Sequence, residues 1–442
     1  MTVELVISNA LVTSSTSSAL GGVAIHGGKI VRVGDVSGFS AERTIDARGL
    51  PLIPGLIDTQ VHFREPGLEH KEDIESGTRA ALHGGVTSIL EMPNTVPATV
   101  DERALLDKLE RASGRAWCHY GFFVGATGEN DSELARLENS PGCPGIKIFM
   151  GSSTGSLLVD RDEILERVLR NGVKRCPIHA EDEARNRERK SLLSPHPSAA
   201  EHPFLRDAES ARLATERILS LSARTHRPVH ILHVSTADEL PLIQAAKSCG
   251  LGTTCEVTPQ HLAFFAPECY ERLGSHVQMN PPIRAREHGQ ALWKALGAGL
   301  FDVFGSDHAP HTLAEKAKPY PESPSGMPGV QTTLPVLMNF ISEGRLSLFD
   351  VVRMGCENPA SLYRISHKGH IREGFDADLV VVDPDWARTV DKPLLQSKCG
   401  WSPYEGMVLK GWPRWVIVNG TLAVKDDVRL GNPQGRMLRF DG

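Results

Sequence analysis

The chain has 442 residues, enough for roughly two to four domains of ordinary size, or for one α/β barrel with additions. With 40% hydrophobic residues, 23% charged residues and a net charge of −6, the composition excludes disordered, fibrous and collagen-like classes. It holds no Lys/Arg block that would form a nucleic-acid footprint, the basic stretch 185–190 being short and mixed, so no nucleic-acid partner is expected.

The start of the chain lacks a signal-peptide pattern, and no apolar run is long enough to span a membrane, so a cytoplasmic location is expected. Short β-branched runs separated by Gly and Ser, such as 22–26 and 29–33, read as antiparallel strands. Runs 377–383 and 415–420 read the same way, the latter ending in an Asn-Gly turn signal. The two ends are therefore expected to pair into one small β domain, a β-sandwich assembled from residues 1–53 and 366–442.

Between them, apolar runs at 56–62, 86–92, 118–124, 145–150, 177–181, 229–234, 252–257 and 301–307 alternate with helical segments such as 72–82, 101–112, 161–170 and 207–223. Eight strands in strict alternation predict a (β/α)8 TIM-like barrel over residues 54–365, in preference to an open doubly wound sheet. The insertion 182–203 reads either as a loop that shapes or covers a barrel site or as a passive surface loop, the second slightly favoured because nothing in its composition marks a hinge. Eight cysteines without a CxxC pair indicate buried reduced thiols, including Cys143 and Cys176.

A barrel of this kind builds its active site at the carboxyl ends of its strands. Four strand runs end in His62, His179, His233 and Asp307, and three imidazoles with a carboxylate converging from different strands make a divalent-metal site, most naturally zinc. His26, His196, His202 and His367 lie in turn-like or terminal segments and read as ordinary structural or surface residues. Lys147 lies within an apolar strand, where an ammonium is expensive. It must snorkel, pair with an acidic residue or be converted to a carbamate, an anion whose two oxygens can bridge two metals.

The runs PGLIDTQVHFREPG at 54–67 and GSDHAPH at 305–311 resemble the two signatures of zinc-dependent amidohydrolases of cyclic amides, and among them those of dihydroorotases. GIKIFMGSSTG at 145–155, MNPPIR at 279–284 and GFDADLVVVD at 374–383 are similar to other parts of that family. The resemblance implies that His62, carbamylated Lys147 and Asp307 hold one zinc, and that Lys147, His179 and His233 hold a second. Gln60 stands where the family usually has another histidine, and since an amide oxygen is a poorer zinc ligand, the first metal is expected to bind more weakly.

A dihydroorotase must also hold a ring carboxylate. Arg64, two positions after His62, is expected to face the same pocket by strand alternation. By resemblance Asn94, Asn280 and His311 join it, with backbone near Gly326. Allantoinases and hydantoinases share the framework but typically lack the Arg and His at these places. The implied function is reversible cyclisation of N-carbamoyl-L-aspartate to L-dihydroorotate in pyrimidine biosynthesis, with Asp307 carrying the proton. A small-molecule substrate, a homodimer and association with another pyrimidine-pathway enzyme follow from the same resemblance. The competing readings are another cyclic amidohydrolase, of allantoinase or hydantoinase type, and a catalytically silent scaffold, which Gln60 motivates.

Overall fold

The computed structural model describes residues 2–152 and 157–441. The N-terminal runs form β1 (Thr2–Thr13), β2 (Ser18–His26), β3 (Lys29–Gly34), β4 (Ser40–Asp46) and β5 (Pro51–Pro54). β1 serves two neighbours on one edge, pairing in parallel with β4 along its first half and with β5 at Leu11 and Val12. β2 runs antiparallel along its other edge, and the register slips between Ile7 and Ala10, where Asn9 adopts φ 52°.

The central strands are β6 (Leu56–Val61), β7 (Val86–Glu91), β8 (His119–Phe122), β9 (Val124–Gly125), β10 (Ile146–Phe149), β11 (Cys176–His179), β12 (Val229–Ile231), β13 (Thr254–Val257) and β14 (Val303–Phe304). They pair in parallel in the orders β6-β7-β8 and β9-β10-β11-β12-β13-β14. Phe123 alone separates β8 from β9, and its N–H donates to Glu91 O at 2.9 Å. Beyond β14, His62 N donates to His308 O at 2.8 Å and Val61 bridges His308 in parallel, joining the last strand to the first. These strands are buried throughout, as expected where helices cover a parallel sheet.

The helical segments begin one or two residues later than the sequence runs predict, because several first residues are caps. Asp73 caps Ile74–His83, Asp101 accepts from Ala104 N at 2.8 Å ahead of Glu102–Ala112, and Asp207 accepts from Ser210 N at 3.0 Å ahead of Ala208–Thr225. The eighth strand is much shorter than the expected 301–307. Asp307 turns into left-handed backbone at φ 44°, and Gly305 lies so close to the Glu256 carboxylate that a Cβ there would sit 2.2 Å from it.

From the far end β15 (Leu379–Asp383), β16 (Arg388–Thr389), β17 (Val408–Leu409), β18 (Trp412–Val418), β19 (Thr421–Lys425) and β20 (Val428–Arg429) follow. β15 pairs antiparallel with β5, so one nine-stranded sheet unites both ends of the chain. Leu5, Ile7, Val23 and Ile25 share a buried cluster with Leu379, Val381 and Ile417. β18 and β19 are joined through Asn419 and Gly420, at φ 51° and 77°, the doubly positive pair of a tight hairpin turn. Two stretches of 366–442 pack against the central strands instead. Leu394, Trp401 and Tyr404 join their core cluster, and Leu438 N donates to Tyr120 O at 2.9 Å.

Asp378 ties the two sheets together. It accepts from His119 Nε2 in β8 at 3.0 Å, from Asn419 N at 2.7 Å and from Lys368 Nζ, while Gly55 N donates to its carbonyl at 2.8 Å. Burial alone would raise its pKa, but His119 and Lys368 outweigh burial and hold the carboxyl far below the usual carboxylate range. A depressed folded-state pKa adds stability that is present above the unfolded value near 4 and is lost as pH falls below it. Asp378→Asn should therefore lower stability at pH 7 by about 3–5 kcal/mol. In urea titrations the gap should hold from pH 8 to 5 and narrow in acid, and a gap independent of pH down to the acid transition would contradict this role.

Candidate functional site

The carboxyl ends of the parallel strands open into a cavity of about 550 Å³. His62, Arg64, Asn94, His179, His233, Asn280 and Asp307, singled out from six separate stretches of sequence, all line it, together with Gln60. Lys147 is buried in β10, and His311 stands behind Arg64, its Nε2 3.3 Å from Arg64 Nη2. Residues 153–155 of the run GIKIFMGSSTG lie outside the described residues.

The four metal-type donors converge as two pairs. His62 Nε2 lies 3.3 Å from Asp307 Oδ1, while its Nδ1 is 2.6 Å from Asn94 Oδ1. An amide oxygen only accepts, so Nδ1 carries the proton and Nε2 presents its lone pair. His179 Nδ1 and His233 Nε2 face each other at 3.0 Å, with their rings edge to face. His179 Nε2 donates to Glu181 Oε2 at 2.9 Å, which leaves Nδ1 as the lone-pair nitrogen. Burial lowers the pKa of His62 and His179, and burial with the neighbouring His179 and Lys147 holds His233 well below the ordinary value. Neutral imidazole is the ligating form.

Among the described residues no three His, Cys, Asp or Glu side chains are arranged to hold a metal ion. Two buried polar atoms without partners stand beside them. Lys147 Nζ lies 4.3 Å over the Phe149 ring with no hydrogen-bond partner, and burial drives its pKa well below the ordinary lysine value. Pairing with an acidic residue, one of the expectations for Lys147, is not what the structure has. Gln60 donates from Nε2 to Asp307 Oδ1 at 3.0 Å and leaves Oε1 buried without a partner. Beneath the site, Asp58 accepts from Gln60 N and Ser306 N, both at 3.1 Å, and Glu256 accepts from Thr59 Oγ1 at 2.9 Å. Burial raises these two carboxyls to about 7 and about 8.

Arg64, His233 and Asp307 have φ values of 68°, 36° and 44°, left-handed backbone in non-glycine residues. Such conformations cost about 1–3 kcal/mol each and persist where packing imposes them, commonly at functional sites. Arg64 thus reaches the cavity through a turn after β6 has ended, and not by strand alternation. Its guanidinium is buried, donates from Nε to Pro310 O at 3.1 Å, and is lowered to about 10 by burial. Asn94 and Asn280 both spend their amide oxygens on imidazoles, Asn280 accepting from His202 Nε2 at 2.9 Å.

His202 corrects its reading as an ordinary turn histidine. It is buried on the cavity wall between Met279 O, Asn280 and Tyr320, and burial lowers it to about 3. The insertion 182–203 is likewise no passive loop, since its helix Glu183–Lys190 contributes Glu183, Asn186, Arg187 and Lys190 to the cavity lining. Glu181 and Arg206, 2.6 Å apart, are further site residues to which the sequence assigned no role. Glu181 was detectable, two positions after His179 at the end of the same apolar run, although β11 itself stops at His179, whereas Arg206 reaches the site only through the tertiary fold.

The Amidohydrolase family model matches residues 178–423, and a model described as Dihydro-orotase-like matches residues 49–142. A dihydroorotase of Halobacterium salinarum is 37% identical over 422 residues, covering 94% of this chain and 96% of that protein. The chain belongs to the dihydroorotase family of amidohydrolases. A second dihydroorotase, from Methanosarcina acetivorans, is 34% identical over 433 residues, 95% of this chain and 92% of its own. The multifunctional protein CAD of Squalus acanthias is 35% identical over 386 residues, which are 86% of this chain and 15% of that protein. Among solved structures, the L-hydantoinase (dihydropyrimidinase) of Arthrobacter aurescens superposes with a TM-score of 0.93 at 29% identity over 99% of both chains. This dihydroorotase-family chain therefore shares its architecture with hydantoinases, and the side chains around the cavity must distinguish them.

Glu181 buttresses His179 because Arg206 neutralises it. Burial alone would raise Glu181, but Arg206 and His179 hold it well below the usual range. Arg206→Ala leaves that carboxylate buried and uncompensated, and should cost about 3–5 kcal/mol of stability in urea unfolding. The double variant Glu181→Gln/Arg206→Ala should recover part of the loss. A single variant as stable as the parent would contradict the pairing.

Proposed function

We propose that this chain is a dihydroorotase, interconverting L-dihydroorotate and N-carbamoyl-L-aspartate in pyrimidine biosynthesis in the cytoplasm. The observation that carries the reading is the buried guanidinium of Arg64, lining the same cavity as His62 and Asp307. A cation with no buried carboxylate bonded to it calls for an anionic ligand, and dihydroorotate brings a ring carboxylate where dihydrouracil and hydantoin bring none. Asn94 and Asn280 supply amide donors from the cavity wall, and His311 backs the arginine.

The donor set fits a two-zinc centre. A carbamate on Lys147 would give each pair, His62 with Asp307 and His179 with His233, its third donor, and would remove the uncompensated ammonium. Lys147 sits within electrostatic range of Asp307, His179 and His233 alike. Zinc bound there supplies polarisation of the ring amide and acidifies water. Asp307 takes the proton from the attacking water and returns it to the ring nitrogen, while Gln60 holds its carboxylate in place. Gln60, donating to Asp307 through Nε2, leaves the His62 side as the weaker metal position.

The reading extends to the whole chain. Residues 54–365 are taken as the metal-dependent barrel, closed into a (β/α)8 ring, and residues 1–53 with 366–442 as a small β-sandwich domain. A homodimer is inferred from the family resemblance, and the similarity to the multifunctional protein CAD supports association with another enzyme of the pathway.

The structural likeness to hydantoinases favours one alternative, ring opening of an uncharged cyclic ureide. Assays with L-dihydroorotate and dihydrouracil separate the two. The parent protein should open the first and leave the second, and Arg64→Ala should raise KM for dihydroorotate by about 2–5 kcal/mol equivalent. Turnover of dihydrouracil with an unaltered KM for dihydroorotate in Arg64→Ala would favour the alternative.

A further inference from the structure

His311 is buried in a nest of cations. Lys71 Nζ lies 3.1 Å from its Nδ1, while Ser325 O at 3.0 Å and Arg64 Nη2 at 3.3 Å face its Nε2. Lys316 is close by and spends its Nζ on the carbonyls of Gln278, Pro324 and Gly326, at 3.3, 2.8 and 3.0 Å. The facing carboxylate is Glu315, 3.0 Å from Lys71 Nζ and 4.0 Å from His311 Nδ1.

These partners fix the proton on the ring. A carbonyl oxygen only accepts, so Nε2 carries the hydrogen that points at Ser325, and the side-chain nitrogen of lysine donates, so Nδ1 must be bare. With Nε2 protonated, the nearby Nη2 of Arg64 finds no acceptor on the imidazole, and its N–H groups stay available to the cavity that Arg64 lines.

We propose that Lys71 is a positioning residue that locks His311 in the neutral, Nε2-protonated tautomer and thereby keeps the Nη2 donors of Arg64 free for the substrate carboxylate. The substrate rests on the dihydroorotase reading, whereas the tautomer lock does not. Without the lysine, Glu315 is freed to accept from a protonated Nδ1, Nε2 gives up its bond to the Ser325 carbonyl and becomes an acceptor, and Arg64 Nη2 closes onto it. Burial, followed by Arg64, Lys71 and Lys316, already holds the imidazole pKa well below its ordinary value, so the ring stays neutral through the physiological range.

The test is histidine 15N NMR on the whole protein, with His311→Asn to assign the signal, alongside kinetics of Lys71→Met and Lys71→Arg. The parent should show His311 as the Nε2–H tautomer, unchanged between pH 6 and 8. Lys71→Met should shift it toward Nδ1–H and raise KM for dihydroorotate about tenfold or more, with kcat changed far less. Lys71→Arg, which keeps a donor, should restore both. An Nδ1–H tautomer in the parent overturns the proposal even if Lys71→Met does not fold, and so does a folded Lys71→Met with the parental spectrum and KM. The expected tautomer shift in a protein that leaves dihydroorotate intact would uphold the lock and refute the substrate reading.

Discussion

A lysine side chain with nothing to pair with, sealed into a parallel strand, is the constraint around which this molecule is arranged. Among the described residues Lys147 Nζ has no hydrogen-bonding partner, and an aromatic face lies at 4.3 Å. Burying an ammonium costs several kcal/mol even after relaxation. The charges of Asp307 and Glu256 offset part of that cost, but neither carboxylate bonds the ammonium. The proposed carbamate would remove the cation and add an anionic donor to both imidazole-containing pairs.

The surrounding layer reads as preparation for that change. Asn94 and Glu181 each fix the tautomer of a donor histidine, and Arg206 keeps Glu181 charged. Left-handed backbone at Arg64, His233 and Asp307 swings three functional side chains into the cavity at the points where strands end. Gly305 and Gly326 make room for this crowding. A Cβ on the first would strike the Glu256 carboxylate, and one on the second would lie 2.4 Å from Ala309 O at φ 138°. The cavity also carries a cation, Arg64, backed by His311 and, behind it, Lys71. The imidazole and carboxylate donors and the guanidinium thus share one pocket.

Much of this was legible because period and spacing report backbone geometry. Alternating strand and helix runs marked the parallel strands, and polar residues ending apolar runs marked His62, His179, His233 and Asp307. Strand ends were less legible: the eighth was expected to run to residue 307, yet Val303–Phe304 is all that is extended, because contacts from Glu256 and the turn at Asp307 are tertiary. His202, Arg206 and Lys71 were invisible for the same reason. Each lies in a polar or proline-containing stretch with no periodicity, and gains its role only when the fold brings it against Asn280, Glu181 or His311. Buried partner atoms are a property of three dimensions, so the unpaired state of Lys147 could be posed as a question in sequence and answered only in the structure.

The most direct measurement is the 13C spectrum of the protein prepared in 13C-bicarbonate with zinc, with metal content determined on the same sample and on Lys147→Ala. A carbamate carbonyl resonance that is present in the parent and absent from Lys147→Ala is expected, with up to about two zinc ions per chain in the parent and fewer in the variant. Full zinc occupancy in Lys147→Ala, or a zinc-loaded and active parent with no carbamate signal, would contradict it.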